Sequence, residues 1–205
     1  VGHGGGATLF LTATEAVYVL PMVPATRAGN MLALRMQLVG ANAQSTHGGE
    51  APSAHRSSYL RGNDPAGWHT DIPNFTRVRY EQVYGGVAMV WRGRENAAAQ
   101  YDFEVAAGAD AGQIRLQFAG ADALDTDIDG DLLIHTAAGI VKQSRPSAYQ
   151  DADGMRRPVD SAFVVEDNSV RFALGHYDHA KPLTIDPSVS LNNLAFSTFL
   201  GGSGN

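Results

Sequence analysis

The chain has 205 residues, 44% of them hydrophobic and 18% charged, a net charge of −6 and no cysteine. A chain this long buries roughly 70% of its unfolded surface, so disorder over its whole length is excluded, and the acidic balance argues against nucleic acid, which needs a clustered basic face. The missing cysteine excludes disulfides, thiolate metal sites and a cysteine nucleophile but not export, and no stretch approaches the ~18–20 apolar residues of a membrane helix.

Gly2-His-Gly-Gly-Gly6 opens the chain after Val1. It has the look of a lipase oxyanion loop, but no Gly-x-Ser-x-Gly elbow accompanies it, so it reads as a flexible leader. A chain starting at Val1 is read either as matured by removal of a segment or as a piece of something longer. From there on, apolar residues recur with period two. Leu32, Leu34, Met36 and Leu38 alternate with Ala33, Arg35 and Gln37, and Tyr101, Phe103 and Val105 with Asp102 and Glu104. Ile114, Leu116 and Phe118 follow the same rule, as do Val170, Phe172 and Leu174. Successive strand side chains face opposite ways, so each run has one buried and one wet face, the mark of antiparallel sheets.

The spacing predicts strands over 7–12, 15–20, 31–39, 75–80, 83–91, 99–106, 113–119, 131–136, 139–144, 158–166, 169–175 and 194–200, punctuated by Gly/Asn/Asp turns. About 12 short strands imply an all-β, mostly antiparallel β-sandwich of two packed sheets. The sandwich is assigned to 1–187, with a sub-division near 120 considered, and 188–205 to a C-terminal strand and Gly-rich tail. Residues 40–73, rich in Gly, Ser, His and Pro, read as a long loop. Arg77, Arg79, Arg92 and Arg94 read as solvated sheet faces.

Three side-chain groups invite chemistry. Asp125, Asp127, Asp129 and Asp131 match the first half of a calcium loop, with Gly130 at position 6. Position 12 is Thr136 instead of Glu, and Asp129-Gly130 is a hairpin signal, so a plain turn is the first reading and a weak calcium site on it the second. No other cofactor is expected. His176-Tyr-Asp-His179 has two imidazoles around a carboxylate but reads as a surface loop. Trp68 and Trp91 with Tyr80, Tyr84 and Tyr101 could form a sugar-binding platform, although most should be core. Nothing places a Ser/His/Asp triad together.

Ser197-Thr-Phe-Leu-Gly-Gly-Ser-Gly-Asn205 resembles the start of the bacterial seven-bladed β-propeller (SBBP) repeat. Thr8–Val17, Leu34–Asn42, Tyr59–Pro65 with Trp68, Arg79–Val87, Tyr101–Asp110 and Ile185–Gly204 resemble, in order, segments of the β-rich domain that precedes such repeats in secreted and cell-surface bacterial proteins. That family's usual lead before Val1 and the repeats after Asn205 are missing, and the resemblance carries no catalytic residues. It implies a non-enzymatic extracellular structural module. Its partners would be propeller repeats of the same polypeptide or further copies of itself, in a fibre held by exchange of a terminal strand through Leu194, Phe196, Phe199 and Leu200. The alternative is an adhesion or carbohydrate-binding module of a larger surface protein.

Overall fold

A computed structural model describes residues 2–4, 7–21, 31–60, 62–93, 100–152, 154–187 and 189–190. Its strands, in chain order, are β1 Gly2–Gly4, β2 Ala7–Leu11, β3 Glu15–Pro21, β4 Met31–Leu38, β5 His47–Tyr59, β6 His69–Tyr84, β7 Val87–Arg92, β8 Gln100–Val105 and β9 Arg115–Ala119. There follow β10 Ala123–Thr126, β11 Leu132–Thr136, β12 Gly139–Gln143, β13 Ser147–Ala152, β14 Met155–Val159, β15 Ser161–Glu166, β16 Ser169–Leu174, β17 Leu183–Asp186 and β18 Val189–Ser190. Among the described residues all pairings are antiparallel, and the protein is an all-β sandwich. One seven-stranded sheet runs β1-β2-β3-β4-β9-β16-β15, the other β14-β13-β17-β8-β7-β6-β5, and a four-stranded sheet runs β10-β11-β12-β18.

The period-two runs place the core. Tyr18, Leu34, Met36, Leu116, Phe118 and Val170 from the first sheet meet Val78, Tyr80, Trp91, Tyr101, Phe103 and Ile185 from the second. Aromatic rings link the layers: Trp91 lies 5.0 Å from Tyr101, Tyr101 5.7 Å from Phe103, and Phe103 5.9 Å from Phe172 on the opposite sheet. The Tyr84 hydroxyl also crosses between sheets, donating to the Arg115 carbonyl at 3.2 Å. Leu132, Ile134 and Val141 bring the four-stranded sheet into the same core. Strands that follow residue 120 return to both large sheets: β13, β14 and β17 join the second and β15 and β16 the first.

Several expectations are corrected. The presumed loop 40–73 contains β5 and most of the distal half of β6, a long hairpin with register shifts between Pro52 and Arg56 and between Ser57 and Tyr59. It went unread because both of its faces are largely wet, so no alternation marks it. The presumed strand 83–91 breaks at Gly85-Gly86, where β6 turns into β7. The hairpin β13–β14 and strand β17 were not expected, and Gly2–Gly4 pairs with β2 instead of forming a free leader. The strand expected over 194–200 lies outside the described residues.

Gly120, between β9 and β10, has φ +91°, and a Cβ there would lie 2.6 Å from the Ala33 carbonyl oxygen. Gly108 has φ +77° with open space around it. L residues pay about 1–2 kcal/mol for left-handed backbone alone. Gly108→Ala should therefore lose about that much in urea unfolding, and Gly120→Ala distinctly more, because the β4 backbone must also move. Equal losses would mean that the contact with Ala33 carries no cost.

Candidate functional site

The outer face of the second large sheet carries the densest set of ionisable side chains. The alternation that buries Val78 and Tyr80 turns Arg77, Arg79 and Glu81 outward on β6, and the phase that buries Tyr101 and Phe103 turns out Asp102 and Glu104 on β8. Register then pairs them. Arg79 donates Nη1 to Glu104 Oε2 at 2.5 Å and Nε to Glu81 Oε1 at 2.6 Å. Arg77 reaches Glu104 at 3.3 Å and Glu50 at 3.2 Å, and Arg92 meets Asp102 at 2.6 Å. Ala88 and Val90 of β7 share this face yet are buried. Long arginine stems cover apolar surface while keeping their heads wet.

The face curves into an open groove of about 500 Å3, continued by Tyr149, Asp151, Arg156 and Thr184. The Arg156 guanidinium sits 4.2 Å above the Tyr149 ring and 3.8 Å from Asp151. The groove's three arginines, 79, 92 and 156, thus all have carboxylate partners, so it presents a balanced polar surface with no strong field of either sign. Among the described residues, no histidine, serine or cysteine lines it. Asp102, beside Arg92 on the same sheet face, is buried. Burial, and then the neighbouring Asp186 carboxylate, raise its pKa above the usual carboxylate range, against the pull of Arg92.

The acidic turn lies elsewhere. Asp125–Asp131 joins β10 to β11 as a hairpin: Asp127 Oδ1 accepts the backbone N–H groups of Asp129 and Asp131, both at 3.0 Å. Lys142 Nζ, from β12, stands 2.9 Å from Asp127 Oδ2 and 2.7 Å from Asp131 Oδ2. Asp125 pairs instead with His135 at 3.1 Å. Three of the four carboxylates are thus divided between a lysine and a histidine, and of these only Asp127 and Asp131 converge. The Lys142 hydrogen bond holds Asp127 below the usual carboxylate range. Among the described residues no group of three or more His, Cys, Asp or Glu could hold a metal ion.

A third cluster is internal. Gln143 Nε2 donates to the Tyr101 hydroxyl, tying the small sheet to the large one. Among the described residues, Tyr18 OH and Gln143 Oε1 are buried with no hydrogen-bond partner. Burial pushes the Tyr18 phenol well above its ordinary pKa, and Tyr101 pushes it further.

Compared with known proteins, residues 1–188 match a family described as a domain of unknown function, DUF7948. The chain belongs to that family. No curated protein and no solved structure matches it.

In this DUF7948 domain, Tyr80, Tyr84, Trp91 and Tyr101 are core residues and form no sugar platform, while Trp68 is exposed on the β5–β6 hairpin. His176 and His179 lie in the connection after β16, where the Tyr177 and His179 rings are 4.3 Å apart. Leu194, Phe196, Phe199 and Leu200 lie outside the described residues. Sequence reasoning placed the arginines on solvated faces but missed their partners Glu50, Glu81, Asp102 and Glu104. Their phase along each strand was legible; the register that sets them opposite the arginines was not.

Two measurements probe these charges. Because the folded-state pKa of Asp102 lies above its unfolded value, the folded protein binds that proton more tightly, and stability is lost as pH rises through the folded pKa. Asp102→Asn, always neutral, escapes this loss. Its melting temperature relative to wild type should rise from acidic to neutral pH, whereas a relative fall would show that the Arg92 pair outweighs burial. Lys142 already occupies the position between Asp127 and Asp131, so Asp127→Ala should lower the melting temperature equally with and without calcium. A loss seen only in calcium would assign the turn to the ion.

Proposed function

We propose that this chain is a non-enzymatic structural module of a secreted or cell-surface bacterial protein, and that it hands the polypeptide on, through β18, to repeats of the kind its last residues resemble. The observation that supports this most directly is the place of β18. It adds to the edge of the small sheet, Val189 opposite Gln143 and Ser190 opposite Lys142, so the chain leaves the sandwich already extended and strand-paired. Gln143 in turn is bonded to Tyr101 in the centre of the core, which anchors the exit to the most buried part of the molecule. A self-assembling fibre is the version of this module in which residues 194–200 enter a neighbouring copy.

Fractionation of the native host, with protease shaving of intact cells, tests the location: the chain should be found outside the cytoplasm and be cleaved on whole cells. Recovery from the cytosol alone would contradict the proposal. Sedimentation of the full chain over a range of concentrations then separates the two forms, since a fibre grows with concentration and a lead-in module does not.

A further inference from the structure

The groove on the outer face of the second large sheet has a built shape. Register sets Tyr149 of β13 opposite Thr184 of β17, Thr184 opposite Glu104 of β8, and Glu104 opposite Ala88 of β7. Directly opposed residues of an antiparallel pair share a face. At about 4.8 Å per strand spacing, this row runs some 14 Å across four strands before β6 is reached. Its floor is low at Thr184 and Ala88, whose side chains are short, and Glu104 between them is drawn to the β6 side by Arg79. Its ends are high. Tyr149 carries the Arg156 guanidinium stacked at 4.2 Å, and Arg79, Glu81 and Gln82 stand on β6. The trough holds about 500 Å3, inside the range of roughly 300–1,000 Å3 that ligand sites occupy.

Strain shapes one rim of this trough. Alternation along β6 turns Arg79 and Glu81 out and Val78 and Tyr80 in, so an uninterrupted strand would turn Gln82 in as well. A register shift between Tyr80 and Tyr84 prevents this. Glu81 and Gln82 are both exposed, and Val83 and Tyr84 are both buried. Gln82 takes φ +55° to achieve it, left-handed backbone that few residues other than glycine adopt. Asn42 Nδ2 donates to its backbone carbonyl at 3.3 Å, and the Gly86 N–H donates to its Oε1 at 3.4 Å. Bulges re-aim side chains, and strained backbone gathers at ligand clamps. Here the effect is to set an amide beside the Glu81 carboxylate on the edge of the trough.

The lining selects a class of occupant. Among the described residues its charges balance, three guanidinium groups from Arg79, Arg92 and Arg156 against three carboxylates from Glu81, Glu104 and Asp151. Neither a polyanion nor a polycation is drawn to such a surface over distance, and the small floor at Ala88 gives little hold to the large apolar anchors of a protein partner. Hydroxyl groups are better served. Arg79 uses Nη1 on Glu104 and Nε on Glu81, whereas a guanidinium has five N–H groups and a carboxylate accepts about four bonds. Donors and acceptors therefore stand side by side, fixed in direction by their own pairing. Each of a sugar's vicinal hydroxyls donates one bond and accepts others, which suits that arrangement. The flat stack of Arg156 on Tyr149 adds a plate against which the C–H face of a pyranose ring can lie.

We propose that this trough binds a neutral glycan, held between the Arg156–Tyr149 plate and the rim of Arg79, Glu81 and Gln82. The proposal goes beyond the reading of the chain as a structural module, and it is tested on purified protein whatever the module's location proves to be. The isotope-labelled full chain is titrated, with amide shifts as the readout, against neutral hexasaccharides of glucose, xylose, mannose and N-acetylglucosamine, and against oligogalacturonate as the anionic comparison. At least one neutral sugar should shift the amides of 79–88, 149–151 and 184. Its affinity should hold between about 0.05 and 0.5 M salt, because no net charge is neutralised. Arg156→Ala should weaken binding about tenfold, the effect of one lost bond to a charged group. Gln82→Gly should weaken it too without lowering the melting temperature, since glycine takes φ +55° freely. Trp68→Ala, on the arm formed by the β5–β6 hairpin, should leave binding unchanged. Shifts with none of the neutral sugars would overturn the proposal, as would shifts confined to oligogalacturonate or centred on Trp68. Binding that survives both Arg156→Ala and Gln82→Gly would equally remove the sugar from the trough.

Discussion

The burial of Tyr101 and Phe103 at the centre of the second sheet is the contact on which the rest depends. Their strand, β8, is flanked by β7 from the first half of the chain and β17 from its end. Phe103 reaches across to Phe172, which packs in turn against Phe163 at 5.7 Å, and Tyr101 accepts the bond that holds the small sheet. One strand therefore fastens three sheets. β7 precedes it directly, but β17 is distant in sequence, so the entropy of closing that long loop must be met before the central aromatics are fully buried. A chain stopped before β17 would leave the open side of β8 as an exposed edge.

The outer face of that strand is ordered by the inner one. Fixing Tyr101 and Phe103 inward fixes Asp102 and Glu104 outward, and the pairings with β7 and β6 bring Arg92, Arg79 and Arg77 over them. Each exposed pair contributes little alone, about 0–1 kcal/mol. Their effect is collective: the arginine stems shield Val90 and Ala88, so a sheet face with two apolar residues at its centre is presented to water as a balanced ionic surface. Asp102 is the exception. Burial and Asp186 work against its charge, and Arg92 only offsets them.

How much of this was legible follows from which faces are buried. β4, β8, β9 and β16 each have one dry side, and period-two spacing located them closely. The arm has none: Ser53, Ser57, Asn74 and Ile72 are half-buried at most, so β5 and distal β6 looked like loop. β13 was missed for the opposite reason. Its inward residues are Ala148, Gln150 and Ala152, and a buried glutamine does not read as core, although Gln150 earns its place by hydrogen bonds to the carbonyls of Asp178, Lys181 and Pro182. At the acidic turn the hairpin was readable in Asp129-Gly130. The lysine that fills it was not, because Lys142 arrives from the next strand but one and only the β11–β12 register aims it there.

The arm's polar composition is itself a requirement. A ribbon outside the core must satisfy its own groups, and it does so locally: the Arg56 guanidinium donates to the Asp71 carbonyl at 2.8 and 3.2 Å, Ser57 donates to Asn74 at 3.0 Å, and Trp68 donates to the Gly62 carbonyl at 3.1 Å. Asp71, whose carbonyl receives Arg56, has φ +58°, a conformation tolerated by Asp better than by most residues. These bonds fix the shape of the hairpin but bury little apolar area, so they cannot by themselves repay the entropy of ordering its strands. Its order is inherited from the root at Arg77 and Tyr80, where β6 enters the core. Local hydrogen bonds thus set the arm's form, the sandwich sets its direction, and the exposed Leu60 and Trp68 at its tip remain as the apolar surface that neither of them accounts for.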